Sequence, residues 1–257
     1  MQHLRRLRLM TSTTEPYVLA VIPARLASTR FPRKLLAPLA GKPLLLHTYE
    51  RTQRAKRVSE TVIATDSEEI AEALKPFGAK VVMTRSDHAT GTDRVAEVAE
   101  QSDAAFVVNV QGDEALIDPA AIDQTIAPLL ADATLEMSTA CHALADPRDI
   151  NDPNVVKVVC DRNGRALYFS RSPIPSAGPD SVYRHHIGLY AFRREFLLEY
   201  ARMDPTPLEK AESLEQLRAL ENGHAIAVVE TLYQGIGVDT PDDLERVRKI
   251  LEMELVN

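Results

Sequence analysis

Apolar residues fall in short blocks along this chain, and after most blocks comes a polar segment that opens a stretch of helical spacing. Residues 17–22 (Tyr-Val-Leu-Ala-Val-Ile) are too few for a typical helix and include β-branched side chains, so they predict a buried strand of a parallel sheet, ended at Pro23. Residues 61–65, 80–84 and 105–110 repeat the pattern and predict three more core strands. Between them, Gly41, Lys42 and Pro43 open a helix through about Lys56, with proline where its missing N–H costs nothing. Asp66, Ser67, Glu68 and Glu69 cap and charge the start of a helix that ends at Gly78, and residues 85–94 lead into a helix through about Ser102. Such alternation implies right-handed βαβ units, hence an α/β protein with a doubly wound, mostly parallel sheet.

Beyond a helix at 119–130 the pattern changes. Residues 137–143 read as a strand, 154–160 and 165–171 as a hairpin about Asp161-Arg162-Asn163-Gly164, and 184–192 as a returning strand. This stretch, around 136–192, gathers Tyr168, Phe169, Tyr183, Tyr190 and Phe192, and predicts a smaller antiparallel lobe that covers a second substrate and pairs with another subunit. Helices at 193–201 and about 208–222, a strand at 225–231 and a last helix opened by Pro241 complete the reading. The first sixteen residues carry Arg5, Arg6 and Arg8 but turn polar at 11–14, so they are expected to form a disordered arm, not a secretion leader. Residues 17–257 are then one domain.

With 257 residues, 45% of them hydrophobic, the chain can bury a substantial core. Its formal net charge of -7 argues against broad nucleic-acid binding, and no stretch approaches the ~18 consecutive apolar residues of a membrane span. Cys141 and Cys160 lie in strand-like runs without metal-ligand spacing and are read as buried thiols in a reducing cytoplasm.

Against this acidic balance, residues 23–34 (P-A-R-L-A-S-T-R-F-P-R-K) stand out, with Arg25, Arg30, Arg33 and Lys34 at the carboxyl end of the first strand, where open α/β sheets bind ligands. Small residues let a ligand approach the backbone, hydroxyls donate, and guanidinium and ammonium groups suit phosphate oxygens. A solvated basic loop is the plain alternative, but the hydroxyls and the two prolines favour phosphate binding. Neither a Walker loop nor a dinucleotide glycine fingerprint occurs. After the fourth strand, Gln111-Gly112-Asp113-Glu114 sets polar residues beside a glycine, an arrangement suited to metal ligands facing a nucleotide and more than a capped turn requires. Taken alone, Thr90 to Asp93 read as a helix cap, and Asp239 as an ordinary residue near a helix start.

These segments, together with A-T-D-S-E at 64–68, T-G-T-D-R-V-A-E-V at 90–98, N-V-V-K-V-V at 154–159, A-L-Y-F-S-R-S-P-I-P at 166–175, H-I-G-L-Y-A-F at 186–192, L-E-Q-L-R-A-L-E-N-G at 214–223 and G-V-D-T-P-D-D-L-E-R-V at 237–247, resemble the sugar-acid cytidylyltransferase family, in its branch that activates 3-deoxy-D-manno-octulosonate (Kdo). The resemblance implies a nucleotidyltransferase-type, Rossmann-like fold, CTP and Kdo as substrates, Mg²⁺ as cofactor and a homodimer. It matches Asp113 and Asp239 to the metal carboxylates. Pro23, Ala24, Arg25, Ser28, Arg30 and Lys34 match the triphosphate loop, and Thr90, Gly91 and Arg94 the cytosine pocket. Gln111 would bridge nucleotide and sugar, and Arg171, His186, Tyr190, Glu215 and Gln216 would bind the sugar acid. Lys34, Arg25, Asp113 and Asp239 are the implied catalytic set.

On their own, His186 and Tyr190 read as a half-buried strand pair, and Glu215 and Gln216 as an exposed helix face. Two residues depart from the family pattern: Arg33 stands where glycine is common, and Ala115 replaces the proline that usually follows Gln-Gly-Asp-Glu. Activation of another sugar acid, such as sialic acid or 8-amino-Kdo, and a non-catalytic nucleotide-sugar sensor are the rival readings.

Overall fold

Strand β1 (Val18–Ala24) is the axis of the molecule, since its two faces feed two separate apolar layers. The computed structural model describes residues 15–27, 31–144, 146–176 and 181–256; most of the amino-terminal arm (1–14), with Ser28 and Arg30 of the cationic loop, lies outside them. Next come a tight pair, β2 (Pro38–Leu39) and β3 (Lys42–Pro43), helix α1 (Leu44–Thr52), β4 (Glu60–Thr65), α2 (Glu68–Leu74), β5 (Val81–Met83), α3 (Gly91–Glu100), β6 (Phe106–Asn109) and α4 (Pro119–Ala131). The second half carries β7 (Met137–Ala143), α5 (Pro147–Asn151), β8 (Lys157–Cys160), β9 (Ala166–Ser170), β10 (Arg184–Arg193), α6 (Arg194–Tyr200), α7 (Pro207–Glu212), α8 (Leu217–Glu221), β11 (Ile226–Glu230) and α9 (Pro241–Val256).

The main sheet runs β11-β7-β10-β6-β1-β4-β5, with β1 parallel to both β4 and β6. Val18, Ala20 and Ile22 face the layer that includes Leu44, Leu45, Ile122 and Val247, while Leu19 and Val21 face Val95, Val98, Phe196 and Leu217. Cover on both sides explains why the first strand reads as an unbroken apolar run. The antiparallel strands are not a detached lobe. β10 pairs antiparallel with β6 and β7, and β8 and β9 join through β10, so the same sheet continues into them.

Three local expectations are corrected. Helix α1 stops at Thr52, where the chain tightens through Gln53 and Ala55 turns, and does not reach Lys56. The helix expected over 208–222 is broken into α7 and α8 at Ser213, whose φ of 53° lies in the left-handed region. The break lets Gln216 turn inward along with Leu217 and Arg218, which an unbroken helix with one wet face would not allow. Cys160 is half-buried, being on the outer part of β8, whereas Cys141 is buried as expected.

Candidate active site

The cationic loop ends in a single 3₁₀ turn, Lys34–Leu36, that buries Leu35. Arg33 enters it at φ 61°, ψ 22°, the left-handed conformation that glycine adopts freely and other residues at a cost of about 1 kcal/mol. Arginine in place of glycine therefore carries a slight backbone strain at this position, and its guanidinium pairs with Glu69. The turn aims Lys34 Nζ between two carboxylates, 2.6 Å from Asp113 Oδ2 and 2.8 Å from Asp239 Oδ1. Burial works against its charge, but Asp113 and Asp239 outweigh it and hold the ammonium above its ordinary pKa.

Each acid is placed by its own loop. The Thr48 hydroxyl donates to the Gly112 carbonyl (3.0 Å), and Glu114 N–H closes the turn on Gln111 O (3.2 Å). A Cβ on Gly112 would come within 3.2 Å of the Pro23 carbonyl and of Leu45, so the close approach to β1 requires glycine. Ala115, in place of proline, is fully buried under this loop. Asp239 stands just before α9, where Asp239 N–H and Thr240 N–H both donate to Asp243 and Asp243 N–H donates back to Thr240. The Val238 amide, donating to Asp113 O at 3.2 Å, ties the two loops together.

Glu114, quoted within a motif but given no role from the sequence, turns away from the cationic loop. It accepts hydrogen bonds from the Tyr233 hydroxyl and the Ile236 amide, bracing the loop that carries Asp239. Burial pushes its carboxyl up to about 7. Only its place beside Asp113 could have drawn attention to it.

Pro23, Arg25, Lys34, Thr90, Gly91 and Gln111 line a cavity of about 240 Å³ together with Asp113. Ala24 packs its side chain into the core. Arg25 donates to the carbonyls of His88 (2.6 Å) and Thr90 (3.1 Å), fastening the cationic loop to the start of α3. Thr90 is indeed the cap of α3, in reciprocal hydrogen bonds with Asp93. Arg94 is fully buried behind this wall, donating to the Thr84 hydroxyl and to Arg85 O, 3.3 Å from Asp66. Its place is that of an anchor joining α3 to the ends of β4 and β5.

The residues matched to the sugar acid gather where β10 meets the α7–α8 corner. Tyr190 donates its hydroxyl to Gln216 Oε1 (3.2 Å), and the His186 ring lies against Phe169 and Tyr190. A bulge between Ile187 and Tyr190 brings Gly188 against Gln111, so the two halves of the cleft touch there. Arg171 donates to the carbonyls of Pro153, Glu212 and Ser213, which commits three of its five N–H groups to holding the corner.

Burial pushes His186 down to about 3 and, with the nearby His142, His185 to about 4. Both therefore stay neutral in the folded protein at pH values where an unfolded chain, with a histidine pKa of about 6.5, takes up protons. Their contribution to stability is present above that value and is lost as pH falls from 6.5 towards 4. Urea midpoints should drop between pH 7 and pH 5, and His185→Gln should flatten the slope.

A mostly parallel sheet that gathers a lysine and two carboxylates beyond the carboxyl ends of β1 and β6 has the layout of an α/β nucleotide-handling protein. The Cytidylyltransferase family model matches residues 19–227. The 3-deoxy-manno-octulosonate cytidylyltransferase of Geobacter metallireducens is 56% identical over 244 residues, spanning 90% of this chain and 96% of that protein. That of Solibacter usitatus is 54% identical, spanning 93% and 96%. A solved structure of CMP:2-keto-3-deoxy-manno-octonic acid synthetase complexed with CTP superposes with a TM-score of 0.89 at 41% identity, covering 93% of this chain and 99% of the other. The chain belongs to the cytidylyltransferase family and, within it, to the 3-deoxy-manno-octulosonate cytidylyltransferases. Among the described residues, no helix is long and apolar enough to cross a membrane.

Proposed function

We infer that this enzyme transfers CMP from CTP to the anomeric hydroxyl of Kdo, releasing pyrophosphate and giving CMP-Kdo for lipopolysaccharide biosynthesis. The observation that carries the reading is the convergence of Lys34, Asp113 and Asp239 at the cavity lined by Pro23, Arg25, Thr90 and Gly91. The donor set fits Mg²⁺: hard carboxylate oxygens from two loops lie within reach of one ammonium and so face a common point. Mg²⁺ usually takes one or two carboxylates and completes its shell with substrate phosphates, so two aspartates would suffice to hold it. Mg²⁺ held by Asp113 and Asp239 would polarise the phosphates and lower the pKa of the attacking hydroxyl.

The protein's own part is positioning and charge. Lys34 offsets the charge that grows on the departing pyrophosphate, Arg25 fixes the wall of the nucleotide cavity, and Gln111 stands where β10 presses its bulge against the nucleotide loop. Arg171, His186, Tyr190, Glu215 and Gln216 receive the sugar acid, with attack in line on the α-phosphorus and no covalent enzyme intermediate. Residues 17–257 act as one domain, supported by the continuous sheet. Exposed Leu167 and Val182 beside the antiparallel strands support a homodimer formed through that region, and two cysteines without a disulfide suit the cytoplasm.

Pyrophosphate release tests the assignment. CTP with Kdo and Mg²⁺ should turn over, UTP or ATP in place of CTP should not, and chelation of the metal should abolish the signal. Preference for sialic acid or 8-amino-Kdo would replace the acceptor. Tight CTP binding with no pyrophosphate from any sugar acid would mark a sensor.

A further inference from the structure

In the first turn of α3, Thr92 is 4% exposed and donates its hydroxyl to Glu215 Oε2 at 2.6 Å. Asn109 Nδ2, at the end of β6, reaches the same hydroxyl oxygen at 3.4 Å. Around this contact three buried polar atoms have no hydrogen-bond partner among the described residues: Glu215 Oε1, Gln216 Nε2 and Asn109 Oδ1. Native interiors leave few such atoms, and a buried carboxylate oxygen without a donor is among the costlier ones. Glu215 and Gln216 share a pattern, each with one side-chain atom satisfied from within the protein, by Thr92 or by Tyr190, and the other unmatched. A ligand with several hydroxyls is the kind of molecule that would complete both.

We propose that Thr92 is a positioning residue for the sugar acid: by holding Glu215 Oε2 it fixes the carboxylate so that Oε1 accepts from a substrate hydroxyl. This rests on reading Glu215 and Gln216 as sugar-contacting. Thr92 belongs to the same turn as Thr90 and Gly91, which line the nucleotide cavity, and Arg25 grips that turn through the Thr90 carbonyl. One turn of helix therefore walls the nucleotide on one side and orients the acceptor of the sugar on the other. Without the hydroxyl, neither oxygen of Glu215 has a side-chain donor, and the half-buried carboxylate swings towards water.

Steady-state kinetics on the full chain separate this role from a structural one. Thr92→Val should raise KM for Kdo roughly tenfold or more, the scale of one hydrogen bond to a charged group, while KM for CTP and the melting temperature stay close to wild type. Thr92→Ser should restore the wild-type KM for Kdo. Combining Thr92→Val with Glu215→Gln should cost far less than the product of the two single effects. An equal rise in both KM values, no rescue by serine, or multiplicative effects in the double variant would overturn the positioning role; Thr92→Ala serves the same comparison should the valine variant fail to fold. If Glu215→Gln itself leaves KM for Kdo unchanged, the sugar assignment of Glu215 fails instead.

Discussion

Lys34→Ala lowers kcat for CMP-Kdo formation by about 10²-fold or more, the scale seen when one preorganised electrostatic donor is lost. The wild-type amine lies 2.6 Å and 2.8 Å from two carboxylate oxygens and is only 14% exposed, so its charge acts where water screens little. Truncation removes the cation assigned to offset leaving-group charge and takes from Asp113 and Asp239 the ammonium they share. Asp113→Asn should lose a similar factor by a different route, because it keeps the shape of the loop and weakens one of the two oxygen donors proposed for Mg²⁺. The check is pyrophosphate release at saturating CTP, Kdo and Mg²⁺. Near-wild-type turnover of either variant sinks the role assigned to that residue.

The largest effect on stability is expected behind the sugar corner. Arg218 and Glu209 form a two-pronged ion pair at 2.8 and 2.5 Å, with side chains 5% and 11% exposed, and the guanidinium covers the Tyr200 ring at 5.2 Å. Burial alone would raise the Glu209 carboxyl, but the hydrogen bonds from Arg218 dominate and hold it below its usual value. Glu209→Leu strands a buried guanidinium and should cost about 3–5 kcal/mol, with the helix cap at Thr206 lost as well. For a chain of this size that is roughly a 10 °C fall in Tm. The paired replacement Glu209→Leu with Arg218→Met removes both charges and should recover much of the loss. A single variant as stable as wild type in urea would show the pair to be dispensable. Tyr200, beneath Arg218, donates to the Glu215 carbonyl at 2.5 Å, so the same single variant should weaken Kdo binding too.

Strands β1, β4 and β6 were legible because each is buried on both faces and reads as an apolar run ended by a polar turn, and β5, though a half-exposed edge strand, was legible from its β-branched pair Val81-Val82. Helix ends were less so: α1 closes at Thr52 through tight local turns, and the α7–α8 break is decided by where Ser213, Gln216 and Arg218 settle in three dimensions, since no periodicity announces a left-handed serine. Asp113 stood out locally through its glycine and its place after a core strand. Asp239 did not, since an acid ahead of a proline-opened helix is common, and only its family match singled it out before the fold brought it to Lys34. Glu114 and Thr92 were silent for a further reason. Their work is done through partners far along the chain, Tyr233 and Glu215, and such pairings leave no local pattern.

Strand β10 runs against its neighbour β6, and this reversal has a consequence for how the enzyme can change. On the proposed reading, donor activation would sit on β1, α3 and the two acid-bearing loops and acceptor recognition on β10 and the α7–α8 corner; the two sets of residues touch at Gly188 with Gln111 and at Thr92 with Glu215. The residues assigned to the sugar alone would then form one block, 171–216, flanked on both sides by those assigned to bond-making, so drift inside the block could explore new sugars while the flanks go on splitting the same triphosphate.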